Sequence, residues 1–296
     1  MANNGYFATL EDAERAAQIC GVDFQVVDKS QLGGTEAGRI PDPFEEPAVD
    51  VQALLHDMGD AAFSPDADEF ARFVAMNRKR VAEAVPLSDD VQTMLVLGYR
   101  MGISAGSAAC MNDLGALYYM GDLVEQDYSK AAELYELAMD HGCYQSIINL
   151  GYIWEYGRTG TCDHQKAYRY FALAAALDQS SEAVYKLGDM YARGQAVERD
   201  MAKAYQLWKR SLDLAEGIVE IAQPAVRIAQ LLVSEEDAGA AGIETDPLQA
   251  LHLFQQAEVG LRIDIDNGQT YYRKRLEEAI EGQQAARDLL DVVICE

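Results

Sequence analysis

Residues 114–142 read LGALYYMGDLVEQDYSKAAELYELAMDHG, and the same skeleton returns twice further along the chain. Leu114-Gly115, Leu150-Gly151 and Leu187-Gly188 recur at steps of 36 and 37 residues, each followed at a constant offset by Gly121, Gly157 and Gly194. Asp127, Asp163 and Asp200 keep that register. So do Lys130-Ala131, Lys166-Ala167 and Lys203-Ala204, the aromatic series Tyr135, Phe171 and Trp208, and the small series Ala138, Ala174 and Ser211. A fixed period of this length marks a repeat architecture in which each unit buries its apolar face only against its neighbours.

Each unit reads as two helices. Leu114, Leu117 and Tyr118 fall at helical spacing, and Gly121 stands where a helix end turns left-handed. Asp127 is placed as the N-cap of a second helix with the buried stripe Ala131, Leu134, Tyr135 and Ala138, ended by Gly142. Gly115 and Ala138 permit close backbone approach while Tyr135, Phe171 and Trp208 fill the space between hairpins.

The pattern weakens outward. Tyr99, Gly102 and Gly106 precede Tyr135, Ala138 and Gly142 by 36 residues, so 89–106 reads as a second helix. Its partner is expected over 66–84, opened by Ser64-Pro65-Asp66 with Glu69 as in a capping box. Asp246, Ala250, Phe254 and Ala257 follow Asp200, Ala204, Trp208 and Ser211 by 46 residues. That longer step places an insertion in Ser234–Gly242, expected as an exposed loop. Residues 269–291 read as a charged terminal capping helix.

The motif LGALYYMGDLVEQDYSKAAELYELAMDHG is similar to the Sel1-like repeat, a relative of the tetratricopeptide repeat, whose pattern runs LGxxYxxGxGVxxDxxKAxxxYxxAAxxG. Residues 107–142, 143–178 and 179–217 match clearly, while 66–106 and 218–260 match in outline. The resemblance implies an all-α, right-handed superhelical solenoid of antiparallel helical hairpins over residues 61–296. The second Gly of the family's GxG is Leu123, Thr159 and Ala196 here, so the connecting loops are expected to differ in shape.

Residues 1–60 stand apart as an acidic N-terminal segment, with a short helix over Thr9–Cys20, a possible strand at Val22–Val27 and a linker. Residues 1–70 hold 15 acidic and 3 basic side chains, a net of −12. The whole chain of 296 residues has 24 Lys plus Arg against 49 Asp plus Glu, a formal charge of −25. Such a field repels phosphate backbones and excludes nucleic acid as the expected ligand. No apolar run reaches the roughly 18 residues of a membrane helix, and Met1–Gly5 does not read as a signal peptide. Cys20, Cys110, Cys143, Cys162 and Cys295 form no CxxC pair and no disulfide framework, which favours free thiols in the cytoplasm.

Members of such families act mainly as scaffolds, so the resemblance implies a non-enzymatic adaptor that binds another protein or peptide on the concave face lined by the first helices. Counting along those helices leaves Asn112, Ala116 and Tyr119, then Ile148, Tyr152 and Glu155, then Tyr185, Asp189 and Ala192 for that face. A tyrosine in every row, flanked by Glu155 and Asp189, suits a peptide with apolar and basic side chains. Packing between repeats explains the same tyrosines equally well. Competing classes are an enzyme or regulatory subunit with a cleft beside the N-terminal segment, and a self-assembling structural protein.

Chemistry has few footholds. Gly102-Ile103-Ser104-Ala105-Gly106 is a literal GxSxG, but a nucleophile elbow needs a strand before it and the repeat register puts a helix there. His56, His141, His164 and His252 lack metal-ligand spacing, and DIDNG at 264–268 fails as a calcium loop at its sixth and twelfth positions, Gln269 and Arg275. No catalytic residue, metal or cofactor is expected. The basic triplets Arg78-Lys79-Arg80 and Arg273-Lys274-Arg275 are expected to pair with nearby carboxylates.

Overall fold

A computed structural model describes residues 49–295, with side chains to Asp291. The readings made for residues 1–48 lie outside the described residues. Among the described residues there are fourteen α-helices and no strand. They are α1 (Val51–Ala62), α2 (Glu69–Met76), α3 (Arg78–Ala84), α4 (Asp89–Ser104), α5 (Ala108–Met120), α6 (Tyr128–Asp140), α7 (Tyr144–Glu155), α8 (His164–Leu177), α9 (Ser181–Arg193), α10 (Met201–Leu214), α11 (Ile218–Leu232), α12 (Glu235–Ala241), α13 (Pro247–Asp266) and α14 (Arg273–Cys295). Single 3-10 turns stand at Val85–Leu87 and Thr270–Tyr272.

The described residues form an all-α solenoid whose units are the hairpins α5/α6, α7/α8, α9/α10 and α11/α13, each packed on the next. One device closes all four. The Asp that caps the second helix accepts backbone N–H groups of that helix: Asp127 from Ser129 and Lys130, Asp163 from Lys166, Asp200 from Lys203 and Asp246 from Gln249. Its own N–H donates back to the end of the first helix, at the carbonyls of Tyr118, Trp154, Tyr191 and Leu232, over 2.9–3.0 Å. The side chain therefore starts one helix while the backbone pins it to the other, which fixes the hairpin's register.

Glycine and aromatic ring interlock as the sequence demands. A Cβ at Gly151 would come within 2.5 Å of the Phe171 ring, and one at Gly188 within 2.6 Å of Trp208. In the last unit Phe254 instead meets Gly282, so α14 takes the place that a following hairpin would have held.

Three stretches differ from expectation. The expected boundary after residue 60 falls inside α1, whose Leu54 and Met58 are fully buried against α2 and α4, and the compact unit begins at Val49. Asp50 caps α1 by accepting from Gln52 and Ala53. The helix expected over 66–84 breaks at Asn77, whose side-chain amide donates to the Phe73 carbonyl at 2.9 Å and whose oxygen accepts from Arg80 at 3.0 Å, in competition with the helical backbone. The insertion at Ser234–Gly242 is not a loop but α12, capped by Ser234 and ended by left-handed Gly242, with Ala238 and Ala241 buried. Alanine-rich sequence supplies helix propensity, and burial of those two methyls decides it.

Candidate functional site

The first helices α5, α7, α9 and α11 lie side by side, and polar side chains bond each one to the next. Asn149 donates to Asn112 over 3.0 Å, and Arg158, just past the end of α7, donates to the Tyr119 hydroxyl over 3.2 Å. Tyr152 donates to Glu182 over 2.7 Å. Lys186 donates to Glu155 Oε1 over 2.9 Å, and Tyr185 to Gln223 over 3.5 Å. Asp189 receives a bidentate Arg227 at 2.9 and 2.8 Å, with Arg193 at 2.9 Å and the Trp208 indole at 3.2 Å completing both carboxylate oxygens. Apart from those of Arg193 and Trp208 to Asp189, each contact spans about one repeat, so the series is periodic like the fold itself.

Of the nine expected face residues, Ala116 and Ala192 are half-buried and the other seven divide by burial. Ile148, Glu155, Tyr185 and Asp189 are buried, whereas Asn112, Tyr119 and Tyr152 are half-buried. Each tyrosine of the series is engaged between repeats. Its ring packs, as Tyr152 does edge-on to Phe171 at 5.5 Å, and its hydroxyl reaches the adjacent repeat. Burial, with Glu182 alongside, pushes the Tyr152 phenol well above the usual range. Burial also lowers Lys186, but the Glu155 carboxylate outweighs it and the ammonium ends above its ordinary value.

Several members of this face were not legible from the pattern. Glu182, Lys186, Arg193 and Arg227 are its charged partners; of the two opposite-charge spacings of four, Glu182-Lys186 and Asp189-Arg193, only the second forms a direct pair. Tyr156, 52% exposed, stacks on Tyr152 with ring centroids 6.0 Å apart. The Arg158 guanidinium lies over three rings, those of Tyr119, Tyr128 and Tyr156, at 5.6, 5.3 and 5.3 Å. The face thus holds a cation within an aromatic cluster beside an acceptor carboxylate.

The motifs weighed for chemistry take structural places. Ser104 lies in the last turn of α4 and donates to the Arg100 carbonyl at 2.9 Å, so a helix stands where a nucleophile elbow needs a strand. His141 ends α6 on the Leu137 carbonyl, and His56 lies 3.7 Å from Asp60 on the surface. Among the described residues no group of three or more His, Cys, Asp or Glu is placed to hold a metal ion. No helix among them is long and apolar enough to cross a membrane. Arg78 pairs with Asp122 at 3.0 Å, Arg80 with Asp57 at 3.4 Å and Arg275 with Glu278 at 2.6 Å.

The Sel1 repeat model matches residues 108–143, 145–179, 181–215 and 228–258. The alginate biosynthesis protein AlgK of Azotobacter vinelandii is 32% identical over 151 residues, which span 50% of this chain and 30% of that protein. The crystal structure of a Sel1 repeat protein from Oxalobacter formigenes aligns with a TM-score of 0.49 at 18% identity, covering 79% of this chain and 99% of that one. A protective antigen of uropathogenic Escherichia coli displaying an SLR fold aligns with a TM-score of 0.46 at 19% identity, covering 79% and 56%. The first three matched copies coincide with the hairpins α5/α6, α7/α8 and α9/α10 and the fourth lies within α11/α13, so the chain is built on four Sel1 repeats.

Proposed function

We propose that the protein is a non-catalytic scaffold that holds a segment of a partner protein against the first helices α5, α7 and α9. Sel1 repeats generally mediate interactions between proteins. The observation that carries the reading here is the cluster of Tyr119, Tyr152, Tyr156 and Arg158 beside Glu182: rigid aromatic area, a guanidinium and a carboxylate acceptor on one partly exposed face. Such side chains give contact area at small entropic cost and orient a polar partner. The net charge of −25 favours a partner segment with basic side chains, mainly by speeding encounter. The free thiols Cys110, Cys143 and Cys162 support a reducing compartment, and we place the protein in the cytoplasm.

Site-specific photo-crosslinking tests the reading. A crosslinker at Tyr156 is expected to trap one protein partner that a crosslinker at Leu173, 41% exposed on the second helix α8, does not trap. Glu182→Gln in the chain that carries the crosslinker at position 156 should abolish that product while circular dichroism stays unchanged. Equal trapping at both positions would place the interface elsewhere.

A further inference from the structure

The repeat register sets one side chain of each second helix beside the aromatic residue near the end of the next first helix. Val96, Ala132 and Tyr168 hold the first position at steps of 36 residues, and Tyr118, Trp154 and Tyr191 hold the second at steps of 36 and 37. Between α8 and α9 both are tyrosines: their rings meet edge-on with centroids 6.3 Å apart, and their hydroxyls lie 3.4 Å apart. Between α6 and α7 the small Ala132 is matched by the large indole of Trp154, and both pack on one cluster. Between α4 and α5 the pair is Val96 and Tyr118. The ring that the register supplies two repeats later has no counterpart there.

A groove of about 570 Å³ lies at that junction, with Val96, Leu97, Tyr118 and Val124 as its apolar lining. Leu97 is 47% exposed although it is apolar. The groove at Tyr191 is lined instead by loop residues and Ala240 of α12, with no residue of α8, as fits a place where Tyr168 already covers that side. Two cations line the groove over Tyr118. Lys130 is engaged, paired with Asp127 at 3.0 Å and set over the Tyr118 ring at 5.2 Å. The side chain of Arg100 has no ion pair or hydrogen bond among the described residues. Gln92 donates to the Leu123 carbonyl at 2.8 Å, so the loop that carries Glu125 meets the N-terminal end of the α4 wall. Arg100 stands about 12 Å further along the helix axis, away from that carboxylate.

We propose that this groove is a second docking site, for a partner protein segment in which an aromatic residue lies within two positions of an aspartate or glutamate. The guest ring takes the place beside Val96 and Tyr118 that the Tyr168 ring holds beside Tyr191, and the guest carboxylate meets Arg100 in the two-pronged geometry a guanidinium favours. Val96 and Arg100 are one helical turn apart, about 6 Å, which is the reach of about two residues of extended chain. Because the net charge of −25 repels anions at long range, the ring carries the affinity and Arg100 the orientation. None of the residues that carry the first-helix reading takes part, so either site can fail without the other.

Random peptides displayed on phage and selected on the immobilised full chain test this, with counter-selection on the Val96→Tyr chain, which supplies the absent ring from within. Enriched sequences should share an aromatic residue with Asp or Glu within two positions. A fluorescent peptide of the enriched sequence, followed by anisotropy, should bind Val96→Tyr and Arg100→Glu each roughly tenfold or more weakly than the wild type. Leu173→Ala, on α8, should bind it as the wild type does. No enrichment, enriched sequences without the aromatic and acid pair, or an affinity indifferent to either groove variant overturns the proposal. Should Val96→Tyr lose helix by circular dichroism, Arg100→Glu, at an exposed position, takes its place in both steps. A wild-type chain that dimerises by light scattering where the groove variant stays monomeric would make a second copy the occupant and reject an outside partner.

Discussion

Lys186 and Glu155 form an ion pair at 2.7 Å with side chains only 4% and 3% exposed, and it ties α9 to α7 inside the solenoid. Two charges out of water are tolerated because each is the other's solvation, with Arg193 a further 3.8 Å contact to Glu155. Lys186→Met removes one partner and strands a buried carboxylate, so urea unfolding should show a loss of about 3–5 kcal/mol. Adding Glu155→Leu should restore most of it, since a well-packed apolar pair replaces a costly ionic one. A double variant as unstable as the single would show that the pair specifies packing that leucine and methionine cannot.

Gly151 and Phe171 define the hairpin packing in the same way that Gly188 and Trp208 do one repeat on. A methyl at Gly151 would enter space 2.5 Å from the ring, and the ring is fully buried with nowhere to retreat. Gly151→Ala should therefore cost about 1–3 kcal/mol despite the better helix propensity of alanine. Phe171→Ala should cost about 3–5 kcal/mol through the cavity it leaves. Combined, the two changes should cost less than their sum, because the new methyl fills part of the vacated ring space. Thermal unfolding of the three variants measures this directly.

Asp189 sets the acid limit of the α9–α11 contact. Burial pushes its carboxyl up, but the guanidinium of Arg227, helped by Arg193, pulls harder and leaves it below the ordinary 3.8. A carboxyl that binds its proton less tightly in the folded chain than in the unfolded one stabilises the fold at every pH above that ordinary value. The contribution fades only as pH falls through the lower folded value. The stability gap between wild type and Asp189→Asn should accordingly be flat from pH 7 to about 4 and narrow below that. A gap that closes between pH 7 and 5 would mean that another group controls this contact.

The repeat was legible because its devices are local. An Asp cap, a left-handed Gly and a ring facing a glycine each follow from a few residues, and each stands where the spacing put it. The face was legible only in part. Tyr119, Tyr152 and Tyr185 could be counted onto it, but Lys186 and Arg227 meet Glu155 and Asp189 from 31 and 38 residues away, and no single-helix pattern encodes a partner on the next repeat. Asn77 and α12 turned on side-chain competition and two buried methyls, effects too small for periodicity to carry.

Tyr152 and Tyr156 separate packing from recognition. Tyr152 lies edge-on to Phe171 and donates to Glu182, so Tyr152→Phe keeps the ring contacts and loses one hydrogen bond to a charged acceptor, a cost of about 1.5–3 kcal/mol in stability. Tyr156 is half exposed and stacks on Tyr152 with an interplanar angle of 5°, so Tyr156→Ala should change stability by no more than about 0.5 kcal/mol. Its effect on a bound segment should be the reverse, a loss of about 2 kcal/mol or more if Tyr156 is an aromatic anchor of the interface. Calorimetric unfolding, beside the yield of partner photo-crosslinked from Asn112 on α5, reads both effects for each variant. If Tyr156→Ala leaves that yield unchanged, the exposed ring is no anchor and recognition must lie with Tyr119 and Glu182 instead.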